Sequence, residues 1–184
     1  MRFTHGGYLD PFVSLDIDSQ FFSKNEDSSS PTRTFTPTRI SESAGISRAL
    51  LKGELRKVVT RLGFAVRENI DRLYYDAPTQ EFETRTTTES GLEWVTWSRL
   101  AAEKERSVFK SELRIFKAVA TSENDPVKRL YWPAVDVDWQ NTWSNKVTSF
   151  LSFDLFWQLR YDKQVDLRGQ FKQTTGFGLV WQLI

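Results

Sequence analysis

The sequence predicts an all-β fold, an up-and-down antiparallel β-barrel of about eight strands, from three observations. Apolar and polar residues alternate along several long segments, aromatic residues are frequent, and long polar connections alternate with short ones. In Leu151–Tyr161, for example, apolar residues such as Leu155 occupy one face and Asp154 and Arg160 the other. Side chains of a strand point alternately to opposite faces, so each such segment is a strand with one apolar and one polar side.

The predicted strands are long, at about ten residues or more, whereas strands of globular proteins most often have about five or six. A tilted strand of about 9–11 residues is what crossing a bilayer requires. The sequence therefore predicts a transmembrane β-barrel that forms a single domain over residues 1–184, with residues 1–9 as an N-terminal tail.

Eight strands follow one another along the chain. Their approximate ranges are 12–22, 35–51, 55–73, 86–100, 108–121, 135–143, 151–161 and 167–183. The second strand is the weakest, because Glu42 and Arg48 interrupt its apolar face. A brief helix across 98–110 is an alternative that the Ala and Glu content allows. A turn centred near Lys163 would pair Arg160 with Asp166 and Asp154 with Lys172.

The connections fall into two groups. The long polar ones are 24–34, 75–82 and 122–130, and the short turns lie near Gly53, Glu105 and Lys146. Outer-membrane barrels have short turns on the periplasmic side and longer loops on the other. We expect the two groups at opposite ends of the barrel, with both termini beside the short turns.

Composition narrows the possible functions. The net charge is +1, which gives no electrostatic footprint for nucleic acid, and without cysteine there is no disulfide or thiolate chemistry. No run of about 18 apolar residues predicts a transmembrane helix. Seven Trp and fourteen Phe are typical of the aromatic girdles of membrane barrels. The N-terminus lacks the apolar segment of a secretory signal. We therefore expect that the signal has been removed, or that this chain is a fragment of a longer one.

Charged residues of the last strands are expected to face inward as a cluster. It comprises Asp136, Asp138, Asp154, Arg160, Arg168 and Lys172. The three aspartates could hold a cation or act as paired acid and base. Alternatively they form salt bridges with the three cations, because the inward charges of a narrow barrel must pair or be hydrated. The sequence favours the second interpretation.

The opposite face of these strands is expected to contact lipid or to form an aromatic girdle. Its residues are Trp139, Trp143, Leu155, Trp157, Leu159, Phe171 and Trp181. The tryptophans could also form a ligand groove, but interfacial positions are more usual for them.

Nothing in the sequence indicates an enzyme. His5 is the only histidine and lies in the tail, so neither a histidine-based triad nor a histidine metal cluster is expected, and no cofactor is predicted. Nucleophile-elbow and phosphate-loop motifs are absent. An esterase-type barrel is therefore disfavoured.

Several short segments resemble an uncharacterised outer-membrane β-barrel family of Bacteroidota-type bacteria, a domain of unknown function. The segments are Asp10–Ser14, Ser41–Gly45, Arg61–Ala65, Glu89–Glu93, Val135–Trp139, Asn145–Val147, Tyr161–Lys163 and Phe171–Leu179. Members of that family are usually longer and begin with a signal, which implies that N-terminal material, and with it further strands, is missing here. The resemblance implies no activity and no site residues.

The last strand is similar to the signal that barrel-assembly machinery reads, in which a glycine precedes alternating apolar residues and a terminal aromatic. Gly178, Trp181 and Leu183 fit that pattern, and Ile184 departs from it. The expected partners are membrane lipid, the barrel-assembly machinery and other envelope proteins, and the expected location is the bacterial outer membrane. The alternative is a soluble lipocalin-like barrel that binds a small apolar ligand in an apolar interior.

Overall fold

The structure, a computed structural model, describes residues 9–19, 22–23, 33–34, 37–74, 82–102, 106–124, 130–131, 133–163 and 168–179. All of its regular elements are β-strands. They are β1 (Asp10–Ser19), β2 (Phe22–Ser23), β3 (Arg33–Thr34), β4 (Thr38–Lys52), β5 (Arg56–Tyr74), β6 (Phe82–Ala102), β7 (Ser107–Thr121), β8 (Val135–Lys146), β9 (Leu151–Tyr161) and β10 (Gln170–Leu179). The predicted all-β fold is confirmed.

Eight of the strands form one antiparallel sheet in the order β1-β4-β5-β6-β7-β8-β9-β10, and β2 pairs with β3 as a small separate hairpin. Each strand of the large sheet is hydrogen-bonded to the next one along the chain, which confirms the predicted up-and-down topology. Among the described residues β1 and β10 do not pair with each other, so the sheet is not closed there.

The sheet curls strongly, and contacts across its concave side show how far. Asp16 of β1 lies 3.5 Å from Arg114 of β7, although three strands separate β1 from β7 in the sheet. Arg39 of β4 lies 3.6 Å from Asp162, directly after β9. We call the face that carries these residues the concave face and the opposite one the convex face. Alternation along each strand then assigns every other residue to the same face.

Small residues line the tightest part of the concave face. Gly45 pairs with Gly63, Ala65 pairs with Gly91, and Gly91 also pairs with Ala118. A Cβ atom added to Gly91 would lie 2.8 Å from the Ala118 Cα, closer than real Cβ atoms approach. Glycine and alanine at these positions therefore allow adjacent strands, and at Gly63 the Phe12 ring, to approach closely.

The connections sort to the two ends as predicted. The end where β1 begins and β10 ends also has the short connections 53–55, 103–106 and 147–150. The other end has the longer connections 20–37, 75–81, 122–134 and 162–169. We call these the short-turn end and the loop end. Gly53 and Lys146 lie at the short-turn end, whereas Glu105 lies outside the described residues.

One alternative considered from the sequence does not form, and one local prediction was wrong. The helix considered across 98–110 does not form, because β6 continues to Ala102 and β7 begins at Ser107. The register of β9 and β10 also differs from the prediction: Arg160 pairs with Gln170, and Lys172 pairs with Gln158. The chain between the two strands extends over 162–169, which moves the turn beyond Lys163. Arg160 pairs with Gln170 where Asp166 was predicted, a shift of four residues along β10. Because this number is even, each residue keeps its predicted face.

Gly91 offers a test of the close approach between strands. We expect Gly91→Ala to lower the free energy of unfolding by about 1–3 kcal/mol, because the added methyl group meets backbone atoms. Urea unfolding in one fixed detergent, followed by tryptophan fluorescence, measures the change. Gly176→Ala is the matched control, since nothing lies within 4 Å of its added Cβ, and it should shift stability by less than about 0.5 kcal/mol. Equal effects at both glycines would contradict the packing argument.

Candidate functional site

A buried carboxylate lies at the centre of the concave face. Glu93 is 1% exposed and projects from the middle of β6. Its oxygens lie 3.4 Å from Arg67, 3.4 Å from Arg114 and 3.8 Å from Arg61. A buried carboxylate is tolerated when cations and hydrogen-bond donors surround it, which the three guanidinium groups provide.

Strand register brings these charges together. Arg61 and Arg67 lie on the concave face of β5, on either side of Gly63, which pairs with Glu93. On the other flank of β6, Phe116 of β7 pairs with Glu93 and Arg114 is two residues away. The Arg67 guanidinium lies 3.6 Å from the centre of the buried Phe116 ring, a cation–π contact that fixes its position.

Two aspartates extend the network across the curl of the sheet. Asp136 of β8 lies 3.4 Å from Arg67. Asp16 of β1 lies 3.5 Å from Arg114 and 3.8 Å from Arg61. The carboxylates and guanidinium groups therefore connect β1 to β8 through the interior. We call Asp16, Arg61, Arg67, Glu93, Arg114 and Asp136 the central network.

A smaller group of charges lies nearer the loop end. Asp162 is mostly buried and lies 3.6 Å from both Arg39 and Arg160. The Arg39 Nε–H also donates to the Asn69 side-chain oxygen at 2.8 Å. Close to the same end, Arg85 of β6 forms an ion pair with the buried Glu123. These contacts tie the strand ends to the connections that follow them.

The predicted inward cluster is only partly assembled. Asp136 binds Arg67, not one of the predicted cations, and Asp138 accepts hydrogen bonds from Gln158 at 2.9 and 3.0 Å. Arg160 pairs in register with Asp138 but makes its ion pair with Asp162. Asp154 pairs with Ser144 and Gly176, so the predicted pairing of Asp154 with Lys172 is wrong. Asp166 lies outside the described residues, and Arg168 lies in the connection before β10.

Most residues of the predicted lipid-facing set are on the convex face. Trp139 and Trp143 of β8, Leu155, Trp157 and Leu159 of β9 and Phe171 of β10 share it by register. Trp143 packs edge-on against Phe153, and Phe153 contacts Phe177. Trp181 lies outside the described residues, so its predicted position stays a prediction.

The residues at the centre of the site were not singled out from the sequence. Arg61, Arg67, Glu93 and Arg114 are not part of the predicted inward cluster. A usable signal was present, because each lies in the middle of a long alternating strand and on its polar side. A charge in such a position needs a partner on a neighbouring strand.

Two small cavities lie between charged side chains of the concave face. One of about 210 Å³ is lined by residues that include Asp16, Arg39, Glu112 and Gln140, and a neighbouring one of about 50 Å³ lies beside Asp136 and Asp162. Both are polar and large enough for water. The central network therefore fits a hydrated, charge-paired interior.

The described residues give no geometric support for a metal site or for histidine chemistry. His5 lies outside the described residues, and the described part of the chain brings together no group of three His, Cys, Asp or Glu that could hold a metal ion. No helix within the described ranges is long and apolar enough to cross a membrane.

Comparison with protein-family models, with curated proteins and with solved structures gives no match. The family resemblance of the sequence therefore stays a prediction. Any statement about function has to come from the geometry of the chain itself.

Neutralising Glu93 tests the central network. We expect Glu93→Gln to cost about 3–5 kcal/mol of unfolding free energy, because three guanidinium groups would lose their shared, buried counter-charge. Denaturant titration in a fixed detergent measures the loss.

Glu112→Gln is the matched control for that substitution. Glu112 lies on the same face and contacts Arg114 at 3.3 Å, but its side chain is 42% exposed. An exposed pair contributes about 0–1 kcal/mol. If the two glutamates cost the same to neutralise, Glu93 does not hold the network together.

Proposed function

We propose that this chain is an outer-membrane β-barrel protein with a structural, binding or small-solute role and no catalytic activity. One observation carries the proposal: the polarity of the sheet is inverted relative to a soluble domain. Charged groups are buried on the concave face, while large apolar side chains are exposed on the convex face. Such an arrangement is stable when the convex face contacts hydrocarbon.

The exposed apolar residues form a continuous surface, not scattered positions. They come from neighbouring strands; Leu15, for example, is 61% exposed and Phe177 is 74% exposed. Others on the same face are Val13, Ile17, Ile46, Leu62, Phe64, Leu92, Trp94, Trp139, Trp143, Leu159, Phe171 and Leu179. A monomeric soluble protein rarely exposes so extended an apolar patch.

The height of this surface suits a bilayer. On β5 the convex residues from Val58 to Val66 are free of charge, and Arg56 and Glu68 border them on the same face. About nine residues extend roughly 30 Å along a strand. A tilt of about 35–45° reduces this to about 21–25 Å, close to the apolar band of about 25 Å in outer-membrane barrels.

Neighbouring strands continue the pattern. On β6 the convex residues from Leu92 to Leu100 are free of charge, with Leu92, Trp94 and Leu100 apolar, and threonines such as Thr88 follow toward the loop end. On β7, Lys117 is the first charged residue of the convex face beyond Ile115 toward the loop end, and it pairs with Leu92. Strand β4 departs from it, because Glu42 and Arg48 are on its convex face. The long strands β5 and β6 would then extend beyond the bilayer at the loop end.

Tryptophans on the convex face find hydrogen-bond partners within the sheet. The indole N–H of Trp94 donates to Thr60 at 2.7 Å, that of Trp139 to Ser111 at 3.0 Å and that of Trp143 to Ser107 at 2.9 Å. Because a polar group without a partner is costly in hydrocarbon, these internal bonds favour a lipid-facing position. In a water-exposed position, water molecules could accept from the indole N–H groups instead.

The same geometry disfavours the soluble alternative. A lipocalin-like carrier would need an apolar interior for its ligand, but the concave face has Glu93 and three arginines at its centre. The charged side chains that divide the interior into separate cavities also disfavour a wide pore, as expected for a barrel of about eight strands. Structural support or binding of a small polar solute is what such an interior supports best.

The proposed orientation follows from the two ends of the sheet. In bacterial outer-membrane barrels the short turns and the termini lie on the periplasmic side. The short-turn end would then face the periplasm and the loop end the exterior. Assembly by the barrel-assembly machinery through the last strand, with Gly178 on its concave side, completes the proposal.

Leu155 in the middle of β9 tests the membrane location. It lies on the convex face, opposite Trp143 and Thr175. For a side chain near the bilayer midplane, Leu155→Arg should cost about 2–4 kcal/mol when the protein is refolded into lipid bilayers. Leu159→Arg is the positional control and should cost less, because Leu159 is nearer the loop end.

Truncation of the same residue distinguishes lipid from a protein core. In bilayers Leu155→Ala should be mild, since acyl chains refill the space, whereas in a packed soluble core it would cost about 2–5 kcal/mol. Both measurements are made in bilayers and in plain buffer. A protein that folds fully without detergent and loses its fold on Leu155→Ala is not a membrane barrel.

A further inference from the structure

Four cations lie side by side on the concave face near the short-turn end. Lys52 of β4 pairs with Lys57 of β5, Lys57 with Arg99 of β6, and Arg99 with Lys110 of β7. They form one unbroken row across four strands, which we call the cationic row. In register with Lys110, the row continues through Thr142, Phe156 and Thr174, so it contains no carboxylate.

This arrangement is unfavourable for the protein alone. Like charges directly opposite each other on adjacent strands are destabilising. Among the described residues no carboxylate lies within ion-pair distance of Lys52, Lys57 or Lys110, while Lys57 is 5.9 Å from the centre of the Trp97 ring. The nearby acids Asp16 and Glu112 are already engaged with arginines of the central network.

A cavity lies between the cationic row and the central network. Its volume is about 450 Å³, and its lining combines three cations, two carboxylates, a tryptophan ring and two valines. The residues are Asp16, Lys57, Val59, Arg61, Val95, Trp97, Glu112 and Arg114. This volume is within the range of small-molecule sites, about 300–1,000 Å³.

One donor beside this cavity lacks a partner. The Nε–H of Arg61 is buried and has no hydrogen-bond acceptor among the described residues. A buried donor without an acceptor costs about 1–3 kcal/mol. An anion in the cavity would bring oxygens to the side of the interior where this arginine and Lys57 lie.

We infer that the cavity and the cationic row form a binding site for a phosphate-bearing anion. The ammonium groups of the row and the Arg61 guanidinium supply charge-assisted donors, which phosphate oxygens accept. Trp97, Val59 and Val95 supply a surface for the organic part of the ligand. The phosphate can belong to a soluble phosphate ester or to a phospholipid headgroup at the mouth of the barrel.

The test compares a variant of two lysines in the row with a variant of a lysine outside it. Purified protein in zwitterionic phosphatidylcholine nanodiscs is titrated with inorganic pyrophosphate by calorimetry. The double variant Lys57→Gln/Lys110→Gln should bind at least about tenfold more weakly, because two charge-assisted bonds are lost. Lys172→Gln is the control, since Lys172 is exposed on the same face but pairs with Gln158, outside the row.

Stability without ligand gives a second readout. Because the row is repulsive, the double variant should be at least as stable as the parent chain in the absence of pyrophosphate, and it should lose the stabilisation that pyrophosphate gives the parent. A simple folding defect would lower its stability instead. Parent protein that does not bind pyrophosphate, or a double variant that binds it equally well, overturns the inference.

The source of the phosphate is decided by a second nanodisc. If phosphatidylglycerol in the disc competes with pyrophosphate and the double variant abolishes the competition, the headgroup is the ligand. If phosphatidylglycerol has no effect, the site serves a soluble phosphate ester. The inference does not depend on the membrane location: if the protein folds in buffer, the pyrophosphate titration is made there.

Discussion

The buried carboxylate of Glu93, shared by three guanidinium groups, is the interaction on which the concave face depends. A buried charge is tolerated only with well-placed partners, so the relative positions of β5, β6 and β7 are constrained to those that bring Arg61, Arg67 and Arg114 to it. A slip of one residue would turn the charges outward and the apolar side chains inward. The central network therefore specifies strand register, which the apolar alternation alone leaves open to shifts by two.

Few apolar side chains are buried inside the curl. Those buried among the described residues are Phe12, Ala65, Val95, Ala101, Phe116 and Ala118, and three of the six are alanines. The Phe12 and Phe116 rings make cation–π contacts with the guanidinium groups of Arg61 and Arg67, respectively. The two buried rings therefore also contact charged groups. The apolar surface that would stabilise a soluble fold is on the convex face instead. In the proposed membrane setting, contact of that face with acyl chains replaces the missing core.

The sequence predicted the strands and their faces because a period of two is a local property, visible without knowledge of contacts. It also predicted the sorting of long and short connections. It did not predict the register of β9 and β10, which depends on how the chain turns within 162–169. Nor did it predict that Asp136 binds Arg67, because β5 and β8 meet only through the curl of the sheet. Ion pairs between distant strands depend on curvature, which small residues such as Gly91 permit but alternation does not encode.

The same electrostatic argument explains why the interior divides into two parts. The carboxylates of the central network are all engaged in ion pairs within it. Glu93 is shared by three arginines, Asp16 by two of them, and Asp136 pairs with Arg67. No carboxylate is therefore left for Lys52, Lys57 and Lys110 within the described part of the chain. Folding alone gives no reason to align Lys52, Lys57 and Lys110 with another cation across adjacent strands, since substitution of any one of these lysines would reduce repulsion. We infer that an anion entering from the short-turn end accounts for the row, because it would place negative charge beside Lys57 and on the side of the interior where Arg61 lies.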